Sequence, residues 1–241
     1  VSTRNVVGGD TATQTSAASM GDSGNLSLQA GSITLHTGSA LVSHADGGYT
    51  GGDITINATR AAGGALGGGG TAGITATGAT IMGASVSVQA QSDYDDSGVV
   101  VSLPLTVPDS TAAISLTDTQ VSASGTLAIG AKASVDTSPL GDTPLAISVV
   151  NSSATVNVAG TSVLSSTGNA TLSAESTVKS TVKPTGLGLS ETADAAVAIS
   201  TISSTATVVV GGSSAITSGG ALELSAKNDV QAETVADISA R

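Results

Sequence analysis

One seven-residue pattern, Gly-x-φ-x-φ-x-Ala with φ apolar, recurs along the chain and limits its fold more than any other feature. Six copies align: 24–30 (GNLSLQA), 52–58 (GDITINA), 84–90 (ASVSVQA, with its glycine displaced to Gly83), 125–131 (GTLAIGA), 168–174 (GNATLSA) and 220–226 (GALELSA). Apolar residues alternate with small polar ones in each, as a strand with one buried face requires. Leu26 with Leu28, Ile54 with Ile56, Val86 with Val88, Leu127 with Ile129 and Leu222 with Leu224 are therefore expected to point inward. The closing alanine shares that parity. A small side chain there is expected to let the backbone turn at a corner, and the opening glycine to supply a positive φ. A second alternating pair lies between copies: Ile33 and Leu35, Ile74 and Ala76, Ile114 and Leu116, Val156 and Val158, Val208 and Val210. A longer repeat aligns 146–174 with 198–226, without a gap, at 15 identical positions of 29.

Antiparallel sandwiches rarely reuse one motif with the same residue at the same end. Stacking like on like does so naturally, because equivalent side chains then form columns from coil to coil. The predicted fold is all-β, a right-handed parallel β-helix (β-solenoid) running as one continuous, elongated rod over residues 1–241. About 20–26 residues per coil would give roughly ten coils and a length on the order of 50 Å. Composition agrees with a core of small aliphatics: two Tyr, no Phe and no Trp accompany 31 Gly and 39% hydrophobic residues. The alternation breaks at 93–109 and 183–194, where Pro104, Pro108 and Pro184 mark loops expected to leave the rod. The chain starts at Val1 without a signal peptide and is read as a processed chain or a fragment of a larger protein.

Charge narrows the partners. A formal net charge of −11 with seven Lys plus Arg leaves no basic patch for phosphates, so nucleic acid is not an expected partner. No apolar run approaches the roughly 20 residues that span a bilayer, so no membrane insertion is expected either. Cysteine is absent, which removes disulfides and thiolate chemistry.

Candidate chemistry is sparse. Asp93, Asp95 and Asp96 flank Tyr94 in what reads as a loop after the strand ending at Ala90, and three crowded carboxylates suit a hard cation, calcium above all. The competing reading is a solvated loop. Asp95 and Asp96 resemble the paired aspartates of pectin hydrolases, but the basic partners of that group and its sugar-stacking aromatics are missing, so catalysis is not expected. His36, His44 and Asp46 form no recognisable triad, and the glycine-rich run 63–73 lacks the Lys-Ser/Thr of a phosphate loop. Sequons begin at Asn25, Asn57, Asn151 and Asn169, as chance allows in a chain this rich in Ser and Thr. Thr-x-Thr pairs at Thr75, Thr117 and Thr205 do not recur at one place in the linear repeat, so no flat threonine array is expected.

Strings such as GNLSLQAGSITLHTGSALVS, GGDITINATRAAGG and SATVNVAGTSVLSSTGNATLSAES resemble the filamentous-haemagglutinin-type and related giant bacterial adhesins over nearly the whole chain. That family's amino-terminal secretion signature is not matched. The resemblance implies a right-handed β-helical shaft, secreted to the bacterial cell surface or extracellular matrix, with adhesion in inserted regions or terminal domains. The expected role is structural or adhesive, and non-enzymatic. Expected partners are flanking solenoid repeats or identical subunits end to end, and a host or cell-surface receptor or glycan. A self-assembling filament or sheath subunit is the first alternative, and a polysaccharide-active β-helix enzyme the second.

Overall fold

A computed structural model describes residues 6–7, 24–43, 51–62, 69–96, 105–137, 144–184 and 195–236. These residues form strands and turns, with no helix among them. After β1 (Val6–Val7), the first coil carries β2 (Leu26–Ala30), β3 (Ser32–Leu35) and β4 (Ala40–Val42). The second carries β5 (Ile54–Ala62), β6 (Gly70–Thr77) and β7 (Thr80–Gly83). The third carries β8 (Val86–Asp95), the short β9 (Leu105–Thr106), β10 (Asp109–Thr117) and β11 (Gln120–Ala123). The fourth carries β12 (Leu127–Thr137), β13 (Leu145–Ala159) and β14 (Val163–Ser166). The fifth carries β15 (Ala170–Val182), β16 (Val197–Val210) and β17 (Ala215–Ser218), and β18 (Leu222–Thr234) opens another.

Three parallel sheets result, each of the five coils giving one strand to every sheet except that the third gives two to sheet II. Sheet I runs β1-β2-β5-β8-β12-β15-β18, sheet II β3-β6-β10-β13-β16 with β9 beside β13, and sheet III β4-β7-β11-β14-β17. The architecture is all-β and compatible with a β-solenoid. Its register is the one the repeat implies: Leu26, Ile54, Val86, Leu127, Ala170 and Leu222 form one column of sheet I. Ile33, Ile74, Ile114, Val156 and Val208 form the matching column of sheet II. The 52-residue offset is likewise the pairing of β13 with β16 and of β15 with β18.

Coils are longer than the sequence suggested. Residues one coil apart are separated by 28, then 32, 41, 43 and 52 positions, so 20–26 per coil was too short and the coils are fewer than ten. The growth lies largely in strand length. In sheet I, β2 has 5 residues, β8 has 10 and β15 has 13, and in sheet II β3 has 4 while β13 has 15. Asp93 and Asp95 thus belong to β8, and the broken segment read as 93–109 contains strand at both ends. The glycine run read as a loop to Gly73 likewise becomes β6 at Gly70.

The longer strands build a second lobe. Near the start of β12 and β15, large aliphatics such as Leu127, Ile129, Leu164 and Leu172 fill the main core. Next come alanine columns, Ala58, Ala90, Ala131 and Ala174 on sheet I and Ala72, Ala112 and Ala154 on sheet II, in the same core cluster. Two residues further along, Ser176 Oγ donates to Ser152 Oγ at 2.7 Å, so the alanines mark a waist where the sheets close face to face. This corrects the expected role of the motif alanine. It ends at a corner only in β2, and later strands run past it, so its size sets the sheet spacing. Beyond the serines, Tyr94, Val135, Val150 and Val178 form a separate small core.

The motif glycine also has a different reason from the one expected. Among the described residues, positive φ occurs at Gly38, Gly78, Asp118, Gly160 and Gly212, all in the turn from sheet II to sheet III. The motif glycines instead sit where backbones of successive coils touch. A Cβ on Gly168 would lie 2.9 Å from the Gly125 carbonyl oxygen, and one on Gly125 would lie 3.0 Å from that of Ala84. The same contacts are hydrogen bonds: Gly125 N donates to Ala84 O at 2.7 Å and Gly168 N to Gly125 O at 2.8 Å. Beside them, the side chain after the glycine caps the next coil, Asn25 Oδ1 accepting from Asp53 N and Asn169 Oδ1 from Ala221 N, both at 2.9 Å.

Candidate functional site

The aspartate cluster is divided by strand geometry. Successive side chains of a strand face opposite sides, and Asp93 and Asp95 lie on the outer face of β8 whereas Tyr94 and Asp96 lie inside. Asp93 is held by the outer surface, accepting from Ser134 Oγ at 2.6 Å and from Gln91 Nε2 at 2.7 Å. Asp96 is fully buried, with Tyr94 Oη donating to its Oδ2 at 3.3 Å. Burial first, and the neighbouring carboxylate second, push the Tyr94 phenol up to about 12. The three carboxylates do not converge, and no group of three His, Cys, Asp or Glu side chains able to hold a metal is gathered among the described residues.

Asp96 instead closes the second lobe. Its interior neighbours on sheet I are Thr137 and Ser180, fully or nearly fully buried, with Thr137 Oγ1 donating to Ser180 Oγ at 3.2 Å. On sheet II, Thr106, Ser148 and Ser200 form one column. Sequence reasoning missed this layer. Its residues come from five strands and the position just past β8, and single Ser and Thr residues in so hydroxyl-rich a chain carry no signal until the register is known.

The outer surfaces differ in chemistry. The charged residues of the described strands lie on sheet I, apart from Asp109 at the start of β10. There they pair across coils: Glu175 lies between Lys132 at 3.7 Å and Lys227 at 3.3 Å, Asp136 meets Lys179 at 3.1 Å, and Lys183 meets Glu233 at 2.8 Å. These are exposed pairs, each contributing only tenths of a kcal/mol to roughly 1 kcal/mol. Sheet II presents hydroxyls. Thr71, Thr111, Ser153 and Thr205 form one outward column, Thr75, Ser115 and Asn157 another, and Thr77 pairs with Thr117. The three Thr-x-Thr pairs do not stack on one another, since Thr75 and Thr77 meet Ser115 and Thr117 while Thr205 and Thr207 meet Ser153 and Thr155, so the register forms mixed hydroxyl columns and not a flat threonine array. On sheet III, Met82, Ser122, Ser165 and Thr167 help line a shallow groove of about 230 Å³.

The other candidates are dispersed. His36 is exposed at the end of β3, while His44, Asp46 and Tyr49 lie outside the described residues. The sequon residues Asn25 and Asn169 use their side-chain oxygens in the corner ladder. No family model, curated protein or solved structure matches the chain.

Proposed function

We propose that the chain is a structural segment of a secreted or surface-bound bacterial protein, a right-handed β-helical rod that supports attachment or an extracellular matrix. One observation carries this reading: every sheet grows by adding the next coil's strand in parallel and in register, so the fold is extended by repetition instead of being closed around a cavity. A stack of that kind resists bending along its axis because each coil is bonded to the next by whole strand ladders. Adhesion would use the outer faces, and the charge-free hydroxyl columns of sheet II suit a neutral glycan better than a charged partner. Small-angle scattering of the chain in solution tests the rod. A maximum dimension well above that of a sphere of equal mass is expected, and a compact profile would remove the proposal. Attachment is tested separately by replacing Thr71, Thr111 and Thr205 with Glu and measuring cell binding by the parent protein, which should fall.

A self-assembling subunit is the second reading, and the apolar edge of the last described coil is the surface it would use. Leu222, Leu224 and Val230 are 46 to 49% exposed, whereas their counterparts Ala170, Leu172 and Val178 one coil earlier are fully buried. Sedimentation showing concentration-dependent association, lost in Leu224→Lys, would support end-to-end joining of copies, and a monomer at all concentrations would exclude it.

A further inference from the structure

The outer end of the second lobe has an interior chemistry that a structural rod does not need. Val150 packs against Tyr94, Val135 and Val178, which fixes how the two sheets face each other in this lobe. Two residues further out along each strand, the inward positions are Asp96, Thr137 and Ser180 on sheet I and Thr106, Ser148 and Ser200 on sheet II. Thr106 and Ser148 are 3% and 1% exposed, and their hydroxyl oxygens, with that of Ser200, are buried without a hydrogen-bond partner. Two layers further in, beyond the valines, the facing hydroxyls bond directly, Ser176 Oγ lying 2.7 Å from Ser152 Oγ and 2.8 Å from Ser204 Oγ. Buried hydroxyls left over in native proteins are rare and call for a partner.

We propose that this layer binds a monovalent cation, with the Asp96 carboxylate as its charged ligand and the hydroxyl oxygens of Thr106, Ser148 and Thr137 as neutral ones. The donor set is all hard oxygen, which suits alkali and alkaline-earth ions and not softer metals. Among the described residues Asp96 is the one carboxylate turned inward in this layer, which matches a single positive charge. Asp93 and Asp95, which a calcium ion would need, point to the opposite face of β8. The Thr106 and Ser148 hydroxyls are not engaged elsewhere, so their lone pairs are available to an ion. Thr137 spends its proton on Ser180 and keeps its lone pairs as well.

The experiment uses the full chain and rubidium chloride as probe, against choline chloride at equal ionic strength. Thermal denaturation of the wild type should shift upward in rubidium by roughly 3–6 °C for each tenfold increase above half-saturation. Ser148→Ala and Thr106→Val should abolish that shift while folding normally in choline. Anomalous scattering from a rubidium-soaked crystal should place the ion beside Asp96. Equal melting in both salts, with Ser148→Ala stabilising in each, would overturn the proposal, since removal of an idle buried hydroxyl is then a gain. Water alone at the site in the soaked crystal would overturn it too.

Discussion

Leu172 and Leu224 occupy the same column of sheet I, one coil apart, and offer a controlled comparison. Leu172 is 0% exposed and lies in the main core, while Leu224 is 49% exposed in the last coil. Truncating a fully buried leucine removes its transfer free energy and leaves a cavity, so Leu172→Ala should destabilise by about 3–4 kcal/mol. At Leu224 half of the side chain already meets solvent and no closed cavity remains, so Leu224→Ala should cost about 1 kcal/mol. For a chain of this size 1 kcal/mol corresponds to a Tm change of roughly 2–4 °C, which predicts shifts of roughly 6–16 °C and 2–4 °C. Far-ultraviolet circular dichroism with heat and urea would measure both, provided unfolding is cooperative across coils. Similar losses at the two sites, or a larger one at Leu224, would refute the assignment of interior and end coils.

Further outcomes follow from other contacts. Gly168→Ala should destabilise by about 1–3 kcal/mol in urea titration, since its Cβ would meet the Gly125 backbone and not a movable side chain. Ser176→Ala should lower stability by about 1–3 kcal/mol because it strands the hydroxyl of Ser152, whereas the double change with Ser152→Ala should restore part of the loss. Ultraviolet titration should find one tyrosine ionising near pH 12, absent in Tyr94→Phe; because its folded pKa is raised, stability present below pH 10 should be lost as pH rises through about 12. Asp118 accepts from Thr161 N at 2.9 Å and Thr161 Oγ1 at 3.0 Å, bonds that lower its pKa. Its contribution should therefore be present above the ordinary carboxylate pKa and fade as pH falls through the lowered value, a dependence that Asp118→Asn should flatten.

The repeat was legible because packing enforces it. The motif column and the Ile33 to Val208 column are both set by aliphatic side chains that must bury on one strand face, and both pair in the register the alignment implies. Sheet III was not legible. Its strands have 3 or 4 residues, with one large buried aliphatic in each of the first four, Leu41, Ile81, Val121 and Leu164, too few for a period to register. The second lobe escaped for another reason. Its walls are Ser, Thr and Val, residues equally at home in loops, and only pairing with a neighbouring coil distinguishes Asp93 on a strand from Asp93 on a turn. Asp96 shows the limit most clearly, since one position at the end of β8 separates the solvent-facing Asp95 from the buried carboxylate that follows it.

Parallel stacking in a single register is most directly tested by distances between spin labels placed along one outward column, Ser27, Thr55, Ser87, Ala128, Thr171 and Glu223. The native chain has no cysteine, so labelled pairs are readily introduced. Backbone separations should grow by about 4.8 Å per coil, reaching about 19 Å for Ser27 with Thr171 and about 24 Å for Ser27 with Glu223. Distances that fail to increase with coil number, or that shorten for the outermost pair, would contradict the stack.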